Sequence, residues 1–236
     1  MLSHLKTCAN LSECDLDQVV ENIFTREEIQ RVYFVSPVTY DTLRRNALVV
    51  KPDVTLVDSA ALVRLLNLVW GTKMRRYSFD TASLAPAVYA YADSKKLRVA
   101  IIGAKEEENR TYCRELVQKY NNIELVYSRD GYFGADGADA VIEQLETLRP
   151  DLIVVGLGAP AQEAFCNRIP LVPGQKIFTC GGHISQSARA WEYYPKIVNA
   201  IHLRWLYRLV KEPHTRKRFP AIFAGLFHAW RDASIA

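Results

Sequence analysis

No apolar run in the 236-residue sequence approaches the roughly 20 residues needed to span a bilayer. The opening stretch, MLSHLKTCANLSECDLD, has no basic region followed by an apolar one, so a secretory signal is not expected. Cysteine is sparse and odd in number: Cys8, Cys14, Cys113, Cys166 and Cys180 form no CxxC pair, and two of them sit inside apolar stretches. That pattern argues for reduced core thiols in a cytosolic protein, against a disulfide framework or a zinc site. Internal repeats and low-complexity segments are missing as well.

What is present suffices for a core. Apolar residues make up 49% and charged residues 24%, which excludes a disordered chain. The length suits one ordinary domain with an appendage, or two small domains. The net charge of +4 is concentrated between Arg204 and Arg218, RWLYRLVKEPHTRKR. A basic segment with interleaved Trp and Tyr points to an anionic partner: nucleic acid, anionic lipid or a phosphorylated acceptor. No nucleic-acid recognition motif accompanies the charge, so nucleic acid is not expected.

Short β-rich runs alternate with helical stretches. Arg31–Val35, Val54–Val57, Arg98–Gly103, Ile123–Tyr127, Asp151–Val155 and Lys176–Thr179 read as strands. Several are apolar without alternation, as in a parallel sheet covered on both faces. Ala60–Val69, Thr81–Lys95, Glu106–Tyr120, Ala138–Leu148 and Ala161–Arg168 read as helices between them. This order predicts an α/β fold, a Rossmann-like, doubly wound, mostly parallel sheet whose ligand lies beyond the carboxyl ends of the strands. From Ser185 onward only helices are expected, at Ser185–Ala190, Lys196–Val210 and Ala221–Asp232. The division is a Rossmann-like domain over 1–195 and a basic helical appendage over 196–236.

Unusual residues gather in the strand-end loops. After the fifth strand comes Gly156-Leu157-Gly158-Ala159-Pro160-Ala161-Gln162-Glu163. Glycines there let a diphosphate approach the backbone, and the following helix offers free N–H groups. A tight turn with Pro160 at the helix start is the competing reading. A nicotinamide site fits poorly, because no acidic residue follows at roughly 20 residues. Asp130-Gly131-Tyr132-Phe133 offers an aromatic pair for stacking, or an ordinary turn. Gly181-Gly182-His183-Ile184-Ser185 can face backbone amides to a ligand, with Ser185 capping the next helix. Asp58 closes the second strand, either as a general base on an acceptor hydroxyl or as a helix cap.

Taken in order, these loops resemble the WecG/TagA/CpsF family of bacterial glycosyltransferases from about Asp58 to Arg218. The elements that carry the resemblance are Asp58-Ser59, Arg75-Arg76-Tyr77-Ser78-Phe79-Asp80, Gly131-Tyr132-Phe133 and Gly156 through Glu163. Gly181-Gly182 and Trp205-Leu206-Tyr207-Arg208-Leu209 complete the set. The resemblance implies an inverting, metal-independent transferase that needs no cofactor and takes a UDP-sugar as substrate. Its acceptor would be a saccharide on a polyprenyl diphosphate carrier, in surface polysaccharide synthesis at the cytoplasmic face of the inner membrane. Asp58 would be the base and Arg75 would offset phosphate charge. Asp80 and the glycine loops, with Tyr132, Phe133, Pro160, Gln162 and Glu163, would hold the donor. Arg204, Arg208, Lys211, Arg216 and Arg218 would face acceptor and membrane. Homo-oligomerisation is left open.

The sequence departs from the family pattern at Ala161, where a lysine is usual, at Ser59 and Ser78 in place of glycines, and at His183 and Ser185. These departures keep a second reading in view: a non-catalytic nucleotide-sugar-binding partner in a membrane assembly.

Overall fold

A computed structural model describes residues 5–6, 8–46, 52–191 and 219–235. The described chain runs α1 (Ala9–Glu13), α2 (Leu16–Thr25), β1 (Arg31–Val35), α3 (Pro37–Arg45), β2 (Val54–Val57) and α4 (Ala60–Trp70). It continues with α5 (Leu84–Ser94), β3 (Arg98–Gly103), α6 (Glu106–Lys119), β4 (Glu124–Arg129), α7 (Gly134–Leu148) and β5 (Leu152–Gly156). Last come α8 (Ala161–Arg168), β6 (Lys176–Thr179), α9 (His183–Arg189) and α10 (Phe219–Ala233).

The six strands form one sheet in the order β2-β1-β6-β5-β3-β4. Every pairing is parallel, so the fold is the expected Rossmann-like α/β sheet. Side chains alternate across β1: Val32 and Phe34 face a cluster built with α2, α5, α6 and α9, whereas Tyr33 joins α7 and α8 on the other face. Val35 and Val57 sit beside α4 and α10. Helices thus cover both faces, which explains why the central strands are apolar throughout.

Local sequence sets the helix starts. Asp15 and Gln18 form a reciprocal capping box at α2, and Ser36 caps α3 with Pro37 in its first turn. Ser59 caps α4 through the Leu62 N–H at 3.3 Å, and Gly71 ends that helix in the left-handed conformation. At β6, Lys176 is buried and its ammonium donates to the carbonyls of Arg26 (2.7 Å) and Ile29 (2.6 Å). It ties the loop before β1 to the strand that pairs with β1.

The final helix lies within the expected appendage, yet it packs on the sheet domain. Ala229 and Ala233 are buried with Val57, Leu62 and Leu66. Tyr40 donates to Asp232 (2.6 Å), His228 pairs with Asp41 (2.7 Å), and Trp70 donates to the Ala233 carbonyl (3.2 Å). Gly225 allows this approach, since a Cβ there would lie 2.0 Å from the Pro37 carbonyl oxygen. A Gly225→Ala substitution has to force α10 away from α3. It is expected to lower stability by about 1–3 kcal/mol, read from the denaturant midpoint.

Candidate active site

A parallel sheet delivers the end of every strand to one edge, so the loops singled out above converge there. Asp58 follows β2, and its backbone N–H bonds to the Val35 carbonyl of β1 at 2.9 Å. Because Ser59 supplies the cap of α4, Asp58 is not consumed in capping. Its side chain is 39% exposed, so a solvent-borne hydroxyl can reach it.

The run between α4 and α5 lies over this edge. Asn67 of α4 clamps Met74 through two 2.9 Å hydrogen bonds, to its N–H and from its own amide to the Met74 carbonyl. The Tyr77 N–H bonds to the Val57 carbonyl at 3.0 Å, and the Tyr77 hydroxyl donates to the Cys14 carbonyl. Held from both sides, the run places Arg76, Ser78 and Asp80 together. Arg76 donates to Asp58 (2.9 Å), Ser78 (2.6 Å) and Asp80 (3.2 Å), all from Nη2, while Ser78 donates to Asp80. Burial opposes the charge of Arg76, but the carboxylates of Asp58 and Asp80 outweigh it and hold the guanidinium above its ordinary proton affinity. Arg75, the neighbour expected to offset phosphate charge, is exposed near Tyr77, and its N–H bonds to the Ser12 carbonyl at 2.8 Å. It is Arg76 that stands against Asp58.

Next along the edge is the loop after β6. Since β1 separates β2 from β6, this loop stands about 10 Å from Asp58 by strand spacing, with β5 about 5 Å further. Gly181 has φ of 55°, and its N–H is taken by the Gln162 side chain at 3.1 Å. Gln162 in turn donates to Glu163 at 2.9 Å. Both residues are buried beneath the loop, and Glu163 Oε2 has no hydrogen-bond partner among the described residues. Burial pushes the Glu163 carboxyl above its usual range. The pair therefore sits where it shapes the glycine loop from below.

The remaining loops lie further from Asp58. Gly156 packs so tightly that a Cβ would come within 2.9 Å of Cys180 Sγ and of the Gly181 carbonyl. Gly158 and Pro160 form the turn into α8, with the Gln162 N–H bonded to the Gly158 carbonyl at 2.9 Å. The Gly131 N–H meets the Ala104 carbonyl at 2.9 Å. The expected aromatic pair divides: Tyr132 is 75% exposed, whereas Phe133 turns inward to Phe165 with ring centroids 5.6 Å apart. Only Tyr132 offers a face outward. Gly182, not Ser185, is the N-cap of α9, and Ser185 donates to Glu108 at 2.9 Å. The basic residues Arg204, Arg208, Lys211, Arg216 and Arg218 lie outside the described residues.

The sequence profile of the Glycosyl transferase WecG/TagA/CpsF family matches residues 7–234. The chain belongs to that family, and as an enzyme it is a glycosyltransferase. A Shigella boydii protein named UDP-Gal:alpha-D-GlcNAc-diphosphoundecaprenol beta-1,4-galactosyltransferase is 34% identical over 190 residues, 80% of each chain.

Behind the Gly181 loop, His183 bridges the Tyr112 hydroxyl (3.1 Å) and Ser187 (3.2 Å), and Tyr112 meets Tyr89 at 2.7 Å. Burial lowers the His183 pKa from 6.5 to about 4, with Asp80 acting weakly the other way. Between those values the unfolded chain binds more proton than the native one. Stability is therefore full above pH 6.5 and falls as pH drops toward 4. His183→Gln keeps a donor and an acceptor without titrating. In denaturant unfolding, the parent is expected to lose about 3 kcal/mol more than this variant over that interval.

Proposed function

We propose that the chain is an inverting glycosyltransferase that moves a sugar from a UDP-sugar to a saccharide on a polyprenyl diphosphate carrier. Galactose, and an acceptor ending in α-D-GlcNAc, are the first candidates, following the name of the Shigella boydii relative. One observation carries this reading: Asp58 is an exposed carboxylate at the carboxyl edge of the sheet, spared from capping and anchored by Arg76.

Asp58 takes the proton of the acceptor hydroxyl. The acceptor oxygen forms a bond to the anomeric carbon from the face opposite the diphosphate. The bond from that carbon to UDP breaks, and UDP leaves with the electron pair. Attack from the opposite face inverts the centre. Amides of the Gly156–Gly158 loop and of Gly182, beside the Gly181 N–H that Gln162 holds, would stabilise the leaving diphosphate as its charge develops. The reaction as proposed uses no cofactor and no metal. That choice rests on Arg76, whose guanidinium nitrogen stands between the carboxylates of Asp58 and Asp80.

The lipid-linked acceptor puts the enzyme at the inner membrane surface. No helix among the described residues is long and apolar enough to cross a membrane. The outer face of α10 supports docking on the surface instead: Phe223, Phe227 and Trp230 recur at helical spacing and are 61%, 56% and 48% exposed. The basic segment Arg204–Arg218 would add attraction to anionic lipid.

Two measurements test this reading. Asp58→Asn is expected to lower turnover of UDP-galactose with α-D-GlcNAc-diphosphoundecaprenol by about 10²–10⁴-fold, the range of a lost general base. UDP-induced thermal stabilisation should survive the substitution, and full turnover by the variant would end the assignment. Phe227→Ser with Trp230→Ser is expected to weaken co-sedimentation with anionic vesicles at least about tenfold, from the apolar area lost.

A further inference from the structure

Within the run Arg75–Asp80 the family resemblance gives roles to Arg75 and Asp80 and none to Arg76. Its geometry nevertheless bears directly on Asp58. One nitrogen, Nη2, faces three oxygens: Asp58 Oδ1 at 2.9 Å, Ser78 Oγ at 2.6 Å and Asp80 Oδ2 at 3.2 Å. It has two hydrogens to give. Ser78 spends its own hydrogen on Asp80 and so can only accept from Arg76. Three acceptors therefore compete for two N–H groups.

Exposure sharpens the inequality. Asp58 is 39% exposed, whereas Arg76 is 20% and Asp80 14% exposed. Asp58 can exchange its share of the guanidinium for water or substrate, but Asp80 cannot do so readily. Asp80 is further fixed by the Ala82 N–H, which bonds to its other oxygen at 2.9 Å. From the α9 side, the nearby titratable group is His183, which is buried and kept neutral.

From this arrangement we infer that Arg76 is the positioning residue for the base: it orients Asp58 and holds it ionised, while Asp80 and Ser78 limit how much of its charge Asp58 receives. This rests on the reading of Asp58 as base. Arg76 stays protonated throughout. It lowers the affinity of Asp58 for a proton, so the base is ready at lower pH, and Asp80 moderates the effect so that basicity is retained. Departure of Arg76 removes a cation beside a carboxylate, while neutralising Asp80 removes a rival and an anion. The two changes act on Asp58 in opposite directions.

The experiment is the pH profile of kcat/KM for UDP-galactose and α-D-GlcNAc-diphosphoundecaprenol, whose acid limb reports the base of the free enzyme. Arg76→Gln is expected to move that limb up by about one pH unit, and Asp80→Asn to move it down by about half a unit. Arg76→Lys should keep the limb near the parent position while lowering kcat through poorer orientation. Melting temperatures establish that each variant is folded. Should Arg76→Gln fail to fold, the downward shift in Asp80→Asn still decides the matter. An unmoved limb in Arg76→Gln, or limbs that move the same way in Arg76→Gln and Asp80→Asn, overturns the inference. Asp58→Asn separates the two levels. Full turnover there removes the base and this inference together, whereas lost turnover with an unmoved limb in Arg76→Gln removes only the role of Arg76.

Discussion

Parallel pairing is the constraint on which the rest of this molecule depends. A parallel strand needs a crossover before its neighbour can form, so each strand is followed by a helix and each helix begins at the same edge. Six strands thus bring six loops together, along with the N-termini of several helices. None of the loops has to reach far. Asp58, the Gly181 turn and the Gly156 turn sit at successive stations set by strand spacing, and a nucleotide sugar is long enough to span them.

The site also relies on support from below. The run carrying Arg76 is pinned by Asn67, Val57 and the carbonyls of Ser12 and Cys14, so α1 helps hold a loop more than sixty residues later. Gln162 does the same for Gly181 from inside the protein. Such indirect holding differs from direct contact with a substrate, although both would appear as invariant residues in a motif. Distinguishing them needs burial and direction, which only coordinates supply.

Much of the sheet was legible in the sequence, because buried parallel strands are short apolar runs between turn residues. The ends of β1, β2, β3 and β6 agree with the reading, and β4 and β5 start one residue later than expected. The helices before and just after β1 were missed. In α2 the apolar residues Val19, Val20 and Ile23 recur at helical spacing behind the Asp15 cap, a readable signal. α3 is short and polar on average, its readable start signal is Ser36-Pro37, and its Tyr40 packs in the cluster shared with α10. The site was legible as a set of loops but not in its details. The doublet Arg75-Arg76 leaves open which arginine faces the base. The clue was the two-residue spacing of Arg76, Ser78 and Asp80, which puts them on one side of an extended run. Tyr132 and Phe133 carried no such clue, since both are aromatic and only Phe165 decides which one turns inward.

The position of β6 has a consequence for how the chain acquires its shape. β1 lies between β2 and β6, and its residues Arg31 and Val32 align with Ile177 and Phe178. Nearly 150 residues separate these partners, so the contact order of this pairing is high and its loop-closure entropy is met late. During synthesis β1 and β2 emerge first, yet one edge of β1 stays open until β6 leaves the ribosome. An open apolar edge is a template for association with other chains. The Lys176 ammonium, donating to carbonyls just ahead of β1, is well placed to close that edge as soon as its strand arrives. The interval between the first strand and the sixth is therefore when the β1 edge is open to pairing with other chains.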